Sequence, residues 1–253
     1  MNILQRSLIE KAGCETGWET SSLESDGRIL LTSARHNGRI YIGLTPDRCY
    51  LVKTMSAAVT SELAQAFGAM ITETETFKAK DAGELSKILH RAAQLYYSLP
   101  DQPAKRFAEQ VAREVAALDP VGMKTEVERV VSQRLGQQEF RNSLLSYWKN
   151  ACAVTGINLP EVLRASHAKP WAECETDAER LNVFNGFLLV ANLDTLFDCG
   201  LITFDDEGRM ICSSKLSTSH KEALGLTVSP GLRWLTSDHL PFLHWHQTRV
   251  FHK

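Results

Sequence analysis

The residues Ala165-Ser166-His167-Ala168-Lys169-Pro170-Trp171 set a histidine just past a short apolar stretch. Asn185-Gly186 follows, and Ala191-Asn192-Leu193-Asp194-Thr195-Leu196-Phe197-Asp198 then carries two carboxylates four residues apart. A neutral imidazole titrates near operating pH and can accept a proton from water. An Asn-Gly pair reads as a rigid, tight turn, and carboxylate oxygens suit hard divalent cations. A base and cation ligands are parts that metal-assisted phosphodiester hydrolysis can use. At helical spacing Asp194 and Asp198 share one face, so both can serve one ion or its waters. Each residue also has a structural reading. Asp194 falls in the first turn of a helix that Asn192 is placed to cap, where a carboxylate favours the dipole. Asp198 near a helix end suits a local hydrogen bond.

Other chemistries leave no mark. The chain has no P-loop, no glycine fingerprint for dinucleotides and no G-x-S-x-G elbow. His239, His244, His246 and His252 offer only an H-x-H spacing, which fits no strong zinc pattern. The six cysteines form no C-x-x-C pair and read as reduced thiols.

The elements that must position these residues follow from periodicity. An amphipathic opening helix at 2–12 buries Ile3, Leu4, Leu8 and Ile9. Strand-like runs at 28–33, 39–44 and 48–54 are separated by His36-Asn37-Gly38, a tight-hairpin signal, and by Thr45-Pro46-Asp47. Helical periodicity at 57–67, a strand candidate at 69–77 and helices at 82–97 and 104–118 complete a first domain, 1–120. Asp119-Pro120-Val121-Gly122 reads as a hinge into a second domain, 121–253. That domain opens with helices at 124–134 and 138–150, followed by the motif region. A buried strand at 186–191 precedes a helix at 192–198 stopped by Gly200, a hairpin of 201–204 with 209–213, and a helix-loop-helix end. The fold class expected is α+β: an N-terminal α/β domain with a small antiparallel sheet, and a C-terminal domain of strands and surrounding helices.

With 43% apolar and 23% charged residues, 253 residues suffice for one large or two modest cores. The formal charge of −2 argues against a binder of nucleic acid over its whole surface, though not against a local basic patch. No apolar run is long enough to span a bilayer, and the start lacks an export-type core, so a soluble cytoplasmic protein with no membrane partner is expected.

The motif region resembles the HNH endonuclease family, with His167, Asn185 and Asp194 at its three signature positions. Arg134-Leu135-Gly136-Gln137-Gln138-Glu139-Phe140-Arg141, Cys152-Ala153-Val154-Thr155-Gly156 and the tail from Leu232 to Phe251 are similar to its restriction-type branch. The resemblance covers about 134–253 and implies a ββα-metal nuclease domain. It implies His167 as general base, Asn185 as the residue ordering the base's loop, and Asp194 with Asp198 as ligands of Mg²⁺, or of Mn²⁺ or another divalent ion. Two departures stand out: the third position is most often histidine and here is Asp194, and the residue before the base, often an acidic ligand, is Ser166. Arg134, Gln137 and Arg141 share a helical face and, with Lys169 and Trp171, can contact DNA phosphates or brace the fold. The implied function is DNA phosphodiester hydrolysis in a restriction or phage-defence setting, by a homodimer. The N-terminal domain would select the target or regulate the enzyme. The alternatives are an HNH-fold DNA-binding or interaction module with weak or no catalysis, and a nuclease released by an effector.

Overall fold

The computed structural model describes residues 1–117, 124–226 and 231–253. The chain divides into two compact units, Met1–Gln102 and Pro103–Lys253. The hinge expected at 119–122 lies outside the described residues.

The first unit is an antiparallel meander with helices on one side. Its elements are α1 (Ile3–Glu15), β1 (Thr20–Leu23), β2 (Ile29–Thr32), β3 (Arg39–Leu44), β4 (Tyr50–Thr54), α2 (Ala57–Phe67), β5 (Phe77–Ala79) and α3 (Ala82–Ser98). The strands pair in the order β1-β2-β3-β4-β5. Alternation decides which face is buried: Ile29, Leu31, Ile40, Ile42, Val52 and Phe77 pack inward, while Leu30, Tyr41 and Lys53 lie on the other side. Leu85, Ile88, Leu89, Ala92 and Leu95 give α3 its core face, and Asp81 caps that helix by accepting from the Glu84 N–H. The indole of buried Trp18 donates to the Leu89 carbonyl at 3.0 Å, tying the loop after α1 to α3.

Four expectations change here. Of the four residues expected to be buried by the opening helix only Ile9 is; Ile3, Leu4 and Leu8 are exposed. Asn37-Gly38 does not make a two-residue hairpin; residues 33–38 form the link, and neither residue has the positive φ that such a turn needs. Gly38 serves close packing instead, because an added Cβ would press into the rings of Tyr96 and His36. The strand expected at 69–77 is a 3-10 turn, Gly68–Met70, with only Phe77–Ala79 extended. The sequence also gave no hint of β1, whose Thr-Ser-Ser-Leu lacks an apolar alternation.

The second unit contains α4 (Gln102–Ala117, beginning at the unit boundary), α5 (Lys124–Tyr147), β6 (Leu163–His167), α6 (Asp177–Arg180), β7 (Gly186–Val190), α7 (Ala191–Asp198), β8 (Ile202–Phe204), β9 (Met210–Cys212), α8 (Thr218–Ala223) and α9 (Leu240–Arg249). Helix α5 is continuous where two helices were expected. Gly136, in its middle, has no room for a side chain beneath the Trp171 ring. The ribbon β6–β7 is antiparallel, with Ser166 opposite Phe187 and His167 opposite Gly186. Every residue of β7 is buried, and Phe140, Leu144, Tyr147, Trp148, Phe187, Phe197 and Phe204 form the core around it. Helix α7 follows directly from β7 and ends where Gly200, at φ 65°, turns the chain. Its N-cap is Val190 without a side-chain cap, so Asn192 lies inside the helix and is not the expected cap. Small antiparallel sheets with surrounding helices make the chain the mixed α and β protein expected. No described helix is long and apolar enough to cross a membrane.

Candidate active site

His167 is the last residue of β6. Its ring lies flat on Phe140 of α5, with centroids 3.7 Å apart, and the edge of Trp171 closes another side at 6.0 Å. Nε2 is 2.9 Å from the Arg180 carbonyl oxygen at the end of α6. A carbonyl only accepts, so Nε2–H donates and the lone pair resides on Nδ1. Burial pushes the imidazole down to about 4, and the Arg180 contact opposes this only in part. The ring is therefore neutral at pH 7, the state a proton acceptor needs. Arg180 is itself fixed, its guanidinium bonding Asp177 and the carbonyls of Trp171 and Cys174.

Asn185 is fully buried and ties the loop that leaves His167 to the strand that returns. Its Oδ1 accepts from the Lys169 N–H at 2.8 Å, while Nδ2 lies 3.1 Å from the Lys169 carbonyl and 3.3 Å from that of Glu179. The Asn185 carbonyl accepts from the Ala168 N–H at 3.0 Å. One side chain thus spans both ends of the segment presenting the histidine. The tight turn expected at Asn185-Gly186 is absent, because residues 168–185 form a long loop between the strands. Asn185 instead closes a 3-10 turn, and Gly186 begins β7 in extended conformation. The glycine is needed for space: a Cβ there would strike the Ser166 carbonyl oxygen and the Phe140 ring.

The carboxylates lie on the other side of the ribbon. Successive strand side chains alternate, so Ser166 faces α7 while His167 faces α5. Ser166 Oγ donates to Asp198 Oδ1 at 2.9 Å. Burial raises the Asp194 carboxyl first and the charge of Asp198 second, with Ser166 and Arg164 opposing. Asp198 keeps more solvent access, yet burial raises it too against the Ser166 hydrogen bond. Two carboxylates that repel one another beside a single hydroxyl form an oxygen-donor set that a divalent cation would relieve. Among the described residues no cluster of three or more His, Cys, Asp or Glu converges. Mg²⁺ is commonly held by one or two carboxylates with water and substrate phosphate completing the shell, so the pair Asp194 and Asp198 fits such an ion.

Of the five residues expected to meet DNA, three are engaged within the protein. Arg141 donates to the carbonyls of Leu163 and Pro160 at 2.7 and 2.8 Å, bracing the start of β6. Lys169 pairs with Glu179 at 2.6 Å. Trp171 packs between Gly136, His167 and the Arg180 guanidinium. Arg134 and Gln137 are exposed on α5. The C-terminal histidines assemble no metal site among the described residues. His246 is buried against Phe197, its ring nitrogens at 3.0 Å from Thr203 Oγ1 and 2.9 Å from the Phe197 carbonyl, while His244 meets Asp206.

Sequence reasoning missed three participants. Ser166 entered only as a departure from the family pattern, although its hydroxyl reaches Asp198. Phe140 entered only within the stretch 134–141, although it is the plate on which His167 rests. The Arg180 carbonyl had no sequence signal, because every residue carries one. The HNH endonuclease family model matches residues 152–205, which agrees with the resemblance drawn from the motif and spans β6, the long loop, β7, α7 and β8. No curated protein matches the chain.

Proposed function

We propose that the second unit is a metal-dependent endonuclease that hydrolyses DNA phosphodiester bonds. The observation that carries this reading is the pairing on β6 of a neutral histidine, oriented through Nε2 with Nδ1 as acceptor, and a serine bonded to one of two adjacent carboxylates. The match to the HNH endonuclease family supports it. Nδ1 of His167 accepts the proton of the attacking water, and the Arg180 carbonyl keeps the imidazolium oriented once it forms. Asn185 holds the loop so that this geometry persists. Asp194 and Asp198 would hold Mg²⁺ or Mn²⁺, which when bound supplies charge stabilisation at the phosphate and the departing oxygen. One such site serves one strand, so cutting a duplex calls for a homodimer. A restriction or phage-defence role, with the first unit selecting the target, is the setting we infer.

The second reading, a DNA-binding module without catalysis, is favoured by one observation: Ser166 stands where a third acidic ligand would complete the shell. Supercoiled plasmid separates the two. The wild-type chain is expected to nick it with Mg²⁺ or Mn²⁺ and to stop in EDTA, and Asp194→Asn is expected to be strongly impaired. Binding without nicking in any ion would favour the second reading.

A further inference from the structure

The helices of the first unit cover one face of its sheet and leave the other open. The register puts Thr20, Ser22, Leu30, Thr32, Arg39, Tyr41, Gly43, Leu51, Lys53 and Lys78 on that open face, since Thr32 pairs with Arg39, Leu30 with Tyr41, Tyr41 with Lys53, and Leu51 with Lys78. No strand position on this face is acidic. Arg28 joins it from the end of the β1–β2 turn, its side chain crossing above Gly43 and its guanidinium 4.7 Å from the centre of the Tyr41 ring. Rim carboxylates offset two of these cations: Asp26 pairs with Arg28 and Asp47 with Lys78. Arg39 and Lys53 are exposed, and among the described residues no carboxylate pairs with either. They flank Tyr41, Arg39 along its strand and Lys53 directly across, so they are diagonal neighbours about 7–8 Å apart.

We propose that this open sheet face binds duplex DNA through its phosphates, with Arg39 and Lys53 as the principal contacts. The inference rests on the nuclease reading for its choice of polyanion. A chain of net charge −2 must concentrate its cations locally to hold DNA. In the second unit Arg141 and Lys169 already serve protein carbonyls and a carboxylate. On this face Arg39 and Lys53 stand beside apolar and hydroxyl side chains, and the carboxylates near it, Asp26, Asp47 and Glu24, pair with Arg28, Lys78 and the Ser22 hydroxyl at its rim. Phosphate contacts of this kind position the duplex and carry no sequence information themselves.

The test is fluorescence anisotropy of the full chain with a labelled duplex in EDTA, across a salt series. Arg39→Gln with Lys53→Gln is compared with Lys11→Gln with Lys87→Gln, an equal charge change on exposed helical positions of the same unit. All four side chains are exposed, and unchanged melting temperatures verify the folds. The sheet pair is expected to bind about tenfold more weakly and to lose about 1.8 from the slope of log affinity on log salt, about 0.9 per phosphate contact. The helix pair is expected to match wild type. The proposal is overturned if the sheet pair binds like wild type, if both pairs weaken equally, or if the wild type binds no duplex. Poly-glutamate competing as well as DNA at equal charge would overturn it too. Plasmid nicking by wild type together with unchanged affinity of the sheet pair refutes the sheet and spares the nuclease reading. Weakened binding with no nicking in any ion does the reverse.

Discussion

A His167→Ala variant is expected to cleave DNA about 10²–10⁴ times more slowly than wild type, the usual contribution of a positioned general base. Divalent-ion binding should survive, because the carboxylates face α7 and the imidazole faces α5 across the same strand. Removing the ring also strips Phe140 of its stacking partner, so a melting curve must accompany the rate. His167→Asn, which retains a polar group beside the Arg180 carbonyl, provides the comparison: near-native stability with an equally slow rate identifies lost chemistry and not lost fold. The pH profile adds a second signature. With the free imidazole held down to about 4 by burial, the wild-type rate should stay level from neutral pH to about 5 and fall below that. Equal cleavage by wild type and both variants would remove His167 from the mechanism.

The second large effect is on stability in acid. His239 and His246 are buried, and burial lowers them to about 3 and about 4; His167 is lowered to about 4 with somewhat more solvent contact. In the unfolded chain each returns to about 6.5. Between these values the unfolded state binds the proton and the folded state does not, so stability is full above pH 6.5 and is lost as pH falls towards 4. Each fully buried histidine costs about 1.4 kcal/mol per pH unit inside that window. Acidification from pH 7 to 5 should therefore remove about 4 kcal/mol through His239 and His246 alone. Asp194 and Asp198, whose carboxyls are raised, act in the opposite sense but only near the carboxylate range. Urea unfolding at pH 7, 6 and 5, followed by tryptophan fluorescence of the second unit's core, reads the effect. A midpoint unchanged from pH 7 to 5 would mean that these histidines are not buried in neutral form.

Which parts could be read from the residues depends on where the information resides. Helix α3 was legible because Leu85, Ile88, Leu89, Ala92 and Leu95 repeat at helical spacing. The four residues His167, Asn185, Asp194 and Asp198 stood out because their types and spacing carry chemistry. What failed was tertiary. Asn37-Gly38 and Asn185-Gly186 look alike as dipeptides, yet one glycine makes room for Tyr96 and the other for the Ser166 carbonyl and Phe140. Gly136 lies in the gap left between the helices expected at 124–134 and 138–150, and is a seat for Trp171 within one helix. Arg141 and Lys169 could be phosphate contacts or braces, and charge alone cannot distinguish a phosphate contact from a carbonyl 2.7 Å away or a carboxylate 2.6 Å away.

The central claim is that Asp194 and Asp198 together form one ion site beside Ser166. Mn²⁺ binding followed by water-proton relaxation tests it most directly, without depending on a DNA sequence. One ion per chain is predicted for wild type and for His167→Ala, and none in the same concentration range for Asp194→Asn with Asp198→Asn. Undiminished Mn²⁺ binding by the doubly substituted chain would contradict the account.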